Sequence, residues 1–296
     1  MIRFGAPVFT DPIKKTGGAG ESHGSSATDP VALARAVKKK GYRAAYAPQV
    51  DVNDRAAVRA VRDAFAEEDI MIAEVGYWQN LVDTDTAARD RNRDTMTDAL
   101  RLADELGAQC AVNIFGSYCR GNGNSRHVGM NFSDDAFDEA VSMARSFIDA
   151  VRPRRASFCY EMFPFDITDS PENIERLIEA VDRPLFGVHL DLVNLINCPR
   201  AYFRSGDIIR DCVRRFGGRI VSAHAKDIRM KEPSISVILE EVMAGTGGLD
   251  IAAYLHALSE LPHDVPLMLE HLASEAEYDT AAAHYRSVAM QEGISL

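Results

Sequence analysis

A chain of 296 residues, 46% of them hydrophobic, can bury a large core, and the length suits one α/β barrel as well as two ordinary domains. The formal net charge of -11 argues against a nucleic-acid backbone as the main partner, since phosphate neutralisation needs clustered Lys and Arg; a neutral or weakly charged small molecule is easier to accept. Cys110, Cys119, Cys159, Cys198 and Cys212 contain no CxxC pair and no run of 18 apolar residues occurs, so a cytoplasmic protein with reduced thiols and no membrane partner is expected.

In chain order, 2–8 reads as the first strand, followed by a glycine- and serine-rich loop at 16–26 that is too long for a plain connection and suggests a lid or a disordered segment. Asp29 and Pro30 open a helix that Gly41 closes, and 44–47 is the second strand. A helix from about 54, with Val58, Val61 and Phe65 on one face, leads to a strand at 70–75. Tyr77 and Trp78 lie in the next loop. Met96, Leu100 and Ala103 then mark a long helix stopped by Gly107, and the fourth strand is 110–115. A second turn-rich loop from Gly116 to Gly129 precedes a helix capped by Ser133, with Phe137, Val141, Ala144 and Ile148 as its apolar face. Strand 156–160 is followed by a helix starting at Ser170 and Pro171, strand 186–190 by a helix at 207–216, and strand 220–223 by a long excursion at 228–249. A helix at 250–260, a strand at 267–269 and a helix at 274–290 complete the pattern.

Eight strands thus alternate with eight helices, with no linker or repeat between them. Strands joined by helices run parallel with right-handed crossovers, and eight such units close into a (β/α)8 barrel, taken as a single domain over 1–296. An open doubly wound sheet is the alternative, but no glycine fingerprint follows the first strand. The Gly-Thr-Gly-Gly run at 245–248 would at most be a phosphate loop.

Four strand-like runs end in ligand-type residues: Glu161, Asp191, His224 and Glu270. Active sites of barrels lie at the carboxyl ends of their strands, so these side chains should converge at one mouth. A capping role or ion pair is the bland reading of any single acid there; the joint pattern of three carboxylates and an imidazole points to a hard or borderline divalent ion, Mn²⁺ first, with Mg²⁺, Co²⁺ or Zn²⁺ as alternatives. Such an ion acidifies the carbon next to a sugar carbonyl and stabilises an enediolate. Glu161 and Glu270 would then be the proton-transfer pair.

Tyr160-Glu161-Met162, Gly187-Val188-His189-Leu190-Asp191-Leu192-Val193-Asn194, His224-Ala225-Lys226-Asp227 and Met268-Leu269-Glu270 resemble the strand-end motifs of the sugar phosphate isomerase/epimerase superfamily. The resemblance implies a xylose isomerase-like barrel and matches Glu161, Asp191, His224 and Glu270 to the metal ligands, the two glutamates being the proton-transfer pair in ketose epimerases. Asn194 stands where those epimerases place a substrate-contacting histidine, and Arg229 loosely matches their arginine. His189 is expected either behind the metal or as a buried structural histidine. Lys226 and Asp227 are read as a substrate contact and an orienting neighbour, with a plain ion pair as the alternative. Trp78 and Tyr77 are candidates to stack on a sugar ring. Glu21, His23, Arg120 and His127 lie in loops that would reach the pocket, whereas His271 should face away from it toward helices.

The resulting expectation is a metal-dependent isomerase or epimerase of a sugar or cyclic polyol. The alternative is a lyase that uses the same acidified carbon for β-elimination, as in inosose dehydratase or enzymes that cleave 3-keto-C-glycosides. A DNA-repair endonuclease of the superfamily needs more strand-end histidines and a less acidic chain. A sugar- or metal-binding subunit without activity, working as a homo-oligomer or with a partner chain, is the remaining class.

Overall fold

The computed structural model describes residues 1–8, 29–123 and 126–296, so the loop at 16–26, with Glu21 and His23, lies outside the described residues. Strand β1 (Ile2–Gly5) leads to α1 (Pro30–Lys39), β2 (Ala44–Ala45) and α2 (Arg55–Glu67). Strands β3 (Met71–Ile72) and β4 (Glu74–Gly76) continue each other across Ala73 and feed α3 (Thr86–Leu106) and β5 (Cys110–Asn113). Then come α4 (Asp134–Val151), β6 (Ser157–Tyr160), α5 (Pro171–Val181), β7 (Val188–Leu190), the single turn α6 (Pro199–Tyr202) and α7 (Ser205–Phe216). Strand β8 (Ile220–Ala225) is followed by β9 (Asp227–Met230), β10 (Leu239–Val242), α8 (Ile251–Ser259), β11 (Val265–Leu269) and α9 (Glu275–Gln291).

The helices start where short polar side chains can take up their free N–H groups. Asp29, Asp54, Asp85, Ser133, Ser170, Asp250 and Ser274 each accept from the first turn, and Gly107, at φ +74, ends α3. In α4 the buried stripe is Ala136, Ala140, Met143, Ala144, Phe147 and Ile148; Phe137 and Val141 are only partly covered, so the apolar face is rotated from the one expected.

All barrel strands pair in parallel. One sheet runs β3-β2-β1-β11-β8-β7 and the other β4-β5-β6, and the bridges Phe158 to Phe186 and Glu161 to His189 join β6 to β7. Pairing of Ile2 with Val265 through Gly5 with Met268 closes the ring between the first and last strands. The excursion at 228–249 contains an antiparallel hairpin, β9 with β10, which periodicity did not reveal.

Two layers of packing follow from strand alternation. The outer layer, between strands and helices, holds Phe4, Phe65, Leu100, Phe158 and Tyr285. The lumen takes small and flexible groups: Ala44, Ala73 and Met268 in one cluster, Cys110, Val112 and Cys159 in another. Gly5 belongs to this crowded interior, since a Cβ there would lie 2.3 Å from the Ala44 carbonyl oxygen and 2.6 Å from Met268 Sδ. The five cysteines are free thiols, and among the described residues no helix is long and apolar enough to cross a membrane.

Gly5→Ala should therefore overpack the lumen and cost about 1–3 kcal/mol. Urea denaturation is the check: the midpoint should fall with little change in slope, and an unchanged midpoint would contradict the tight strand contact.

Candidate metal centre

Parallel strands with inward-facing ends deliver Glu161 after β6, Asp191 after β7, His224 within β8 and Glu270 after β11. All four are buried, and one ligand atom from each lies within 4.8 Å of the others. His224 Nδ1 is 3.3 Å from Glu161 Oε1, 3.6 Å from Asp191 Oδ2 and 2.9 Å from Glu270 Oε2. Nevertheless no well-aligned hydrogen bond reaches His224 Nδ1 or Glu270 Oε2; the 2.7 Å contact of Glu270 Oε2 with Lys226 Nζ is an ion pair. The atoms are close without being aimed at each other, as expected of ligands that share a central cation. A set of three carboxylates and one imidazole nitrogen fits a divalent ion and relieves the repulsion among the acids.

Behind the cluster lies a carboxylate that sequence reasoning missed. Glu74 accepts from Ser222 Oγ at 2.9 Å, and its oxygens lie 2.7 Å from His189 Nε2 and 3.3 Å from His224 Nε2. Burial pushes the Glu74 carboxyl upward, but the two imidazoles outweigh it and hold it well below the usual range. An ionised carboxylate only accepts, so both Nε2 atoms carry hydrogens and the lone pair of a neutral His224 is left on Nδ1, facing the cluster. Burial disfavours a charged His224, but Glu270, Tyr46 and Glu74 prevail and raise its pKa well above the ordinary value. A proton and a metal ion would therefore compete for Nδ1. The signal in the sequence was a lone acid within an otherwise apolar strand, Ile70 to Val75.

Other contacts fix the remaining ligands. Trp78 Nε1 donates to Glu161 Oε2 at 2.5 Å. Asn194 Nδ2 donates to Asp191 Oδ2 at 3.1 Å and to the Met162 carbonyl at 2.9 Å, so Asn194 orients a ligand rather than offering a free amide to substrate. Lys226 Nζ is 2.7 Å from both Asp191 Oδ2 and Glu270 Oε2. Burial lowers its pKa, yet the surrounding carboxylates raise it further and keep an ammonium there. Burial likewise opposes ionisation of Asp191, but Lys226 and His224 hold its carboxyl well below normal.

His189 lies where its alternation with Asp191 puts it, sealed behind His224 with their rings 4.2 Å apart and edge-on, so it is not a rim contact. Several other expected contacts are placed elsewhere. Asp227 turns from the cluster and accepts from the backbone N–H groups of Gly245, Gly247 and Leu249. The glycine run thus wraps an internal carboxylate, which replaces the phosphate-loop reading. Arg229 pairs with Glu240 on the exposed hairpin, Arg120 with Asp85, and His127 stacks on Phe165 at 3.8 Å. His271 departs from expectation in the opposite sense. Its φ of +58 turns the ring back to the rim, where Nε2 lies 3.3 Å from Glu270 Oε1 and Nδ1 lies 3.0 Å from Glu241.

Comparison with known proteins follows this geometry. No protein of curated function matches the chain. Among solved structures, a D-psicose 3-epimerase determined in the presence of D-fructose superimposes with a TM-score of 0.66 at 15% identity, covering 90% of this chain and 94% of that one. A xylose isomerase-like TIM barrel protein from Mycobacterium smegmatis in complex with magnesium gives 0.62 at 16% identity, with 88% and 87% covered. The probable 3-DHS dehydratase AsbF from Bacillus anthracis gives 0.63 at 13%, with 87% and 92% covered. At these identities the likeness is one of fold. The family described as xylose isomerase-like TIM barrel matches residues 33–288, and with its ring of parallel strands closed by β1 and β11 the chain belongs to that family.

Proposed function

We propose that the protein is a divalent-metal-dependent isomerase or epimerase of a sugar or cyclic polyol, with Glu161 and Glu270 as its proton-transfer pair. The observation that carries the reading is the convergence of Glu161, Asp191, His224 and Glu270 on one buried centre, with His224 Nδ1 directed into it and making no hydrogen bond. These four residues would hold the ion, Mn²⁺ being the first choice. When bound, it draws electron density from adjacent carbonyl and hydroxyl oxygens and so lowers the cost of removing a proton from the carbon between them.

Glu270 is the proposed base. Burial opposes its charge, but His224 and Lys226 outweigh that and keep its carboxyl ionised, which leaves it free to accept a proton while making it a weaker base than an exposed carboxylate. Its Oε1 meets the half-exposed ring of His271, which links it to solvent for proton exchange. Glu161, held by the Trp78 N–H, would return a proton to the opposite face of the enediolate and give an epimer. Glu270 acting alone on one face would give aldose–ketose isomerisation. The Lys226 ammonium adds positive charge where an oxyanion develops. The likeness to a D-psicose 3-epimerase supports the sugar reading, and the magnesium complex of the Mycobacterium smegmatis protein supports a divalent ion. Free thiols favour a cytoplasmic setting.

Lys226 also favours a second reading. An ammonium beside the base can stabilise a departing oxygen, so the same carbon acid would eliminate water or an aglycone; the Bacillus anthracis neighbour is itself a probable dehydratase. Keto-sugar substrates in deuterium oxide separate the two. Deuterium at the α-carbon with unchanged formula supports the isomerase; loss of water or of an aglycone supports the lyase.

Glu270→Gln should lower turnover by about 10²–10⁴-fold while circular dichroism stays native, and retained activity would remove Glu270 from proton transfer. Glu74→Ala should weaken Mn²⁺ binding by about 10–100-fold, measured by calorimetry, because the His224 ring loses the acceptor that fixes it. In the unsubstituted protein Mn²⁺ affinity should rise with pH, since the ion displaces a proton from His224; a flat profile would contradict that competition.

A further inference from the structure

A cavity of about 360 Å³ lies beside the metal centre, between the segment after β2, strand β4 and helix α3. Its walls include Val50, Val52, Ala99 and Leu102, with Tyr77 and Trp78 as aromatic sides. Polar groups on the walls are already engaged. Tyr46 OH donates to the Leu269 carbonyl at 3.2 Å, Tyr77 OH to Asn92 Oδ1 at 3.1 Å, and the Glu74 carboxylate serves His189, Ser222 and His224. Thr95 and Asp98 lie on the exposed side of α3. Gln49, also on the wall, is exposed as well, so the inner walls offer a sugar ring few partners for the water hydrogen bonds it would lose, whereas an apolar ring has none to lose.

Trp78 separates this cavity from the metal ligands. Its N–H edge is fixed on Glu161, and its ring lies so close over Gly76 that a Cβ there would come within 2.1 Å of it. One rigid indole therefore contacts the proton-transfer residue along one edge and lines an apolar space along another. The volume lies near the lower end of small-molecule pockets, about 300–1,000 Å³, and two aromatic walls suit a planar partner.

We infer that this cavity is a subsite for an aromatic substituent, and that the substrate is an aryl-bearing sugar conjugate rather than a free sugar. The inference deepens the function proposed above and rests on it for the sugar half of the ligand. The polar half meets the carboxylates, Lys226 and the ion, and the aromatic half passes the edge of Trp78 into the cavity.

Trp78 is the chain's single tryptophan, so its emission reports directly on occupancy. Titration of the full-length, Mn²⁺-loaded protein with phenyl β-D-glucoside should change that emission with a half-saturation about tenfold lower than for methyl β-D-glucoside, since only the former buries a ring. Val52→Phe, which narrows the cavity from the loop side, should weaken the phenyl response by about tenfold without changing Mn²⁺ affinity. Leu102→Phe serves the same purpose from α3 should the first variant lose its native circular dichroism. Equal half-saturation for the two glucosides, or a phenyl response unmoved by either folded variant, overturns the subsite. The readout needs no turnover: an intact phenyl response with no isomerised or eliminated product would defeat only the proposed reaction, and product without a phenyl preference would defeat only the subsite.

Discussion

Glu74 is buried, yet three donors converge on its carboxylate, from His189, Ser222 and His224. Burying a charge of this kind is costly unless its lone pairs are satisfied, and here the satisfaction comes from β7 and β8. The arrangement fixes the His224 ring from behind and leaves Nδ1 facing the opening. The break between β3 and β4 makes it possible. Ala73 belongs to a lumen cluster and Glu74 also faces inward, which the alternation of an unbroken strand forbids.

On the opening side, consecutive residues after β8 take opposite duties. Lys226 enters the cluster and bridges Asp191 and Glu270, while Asp227 points away and gathers the amides of the segment before α8. The glycines of that segment have a steric reason, since a Cβ on Gly247 would fall 2.3 Å from Asp227 Oδ1. A glycine pattern that resembles an anion-binding loop arises because the loop does bind an anion, one supplied by its own chain.

The barrel was legible because its signals are local. Caps such as Asp29, Ser133 and Ser170 and the helical spacing of Val58, Val61 and Phe65 mark elements without reference to the rest of the chain. The strand-end positions of Glu161, Asp191, His224 and Glu270 followed from topology, since parallel strands share one carboxyl face. Glu74 was hidden because its inward direction depends on an interruption at a single alanine. His271 was misplaced because alternation assumes extended backbone, and its φ of +58 reverses the direction. Arg229 and the β9–β10 pairing were missed because the excursion has no burial periodicity; Ile235, Val237 and Ile238 are exposed.

That hairpin separates two tasks within the site. The four residues proposed to hold the ion stand on or directly after barrel strands, whereas Glu241, which approaches Lys226 at 3.5 Å and His271 at 3.0 Å, is carried by β10. A rim borne on its own short excursion is an exchangeable part: insertions, deletions or grafts between Asp227 and Gly245 would retune which ligand is admitted while the strands beneath keep their register. Diversification of this lineage would then be read first in the length and charge of that excursion, well before any change in the residues beneath it.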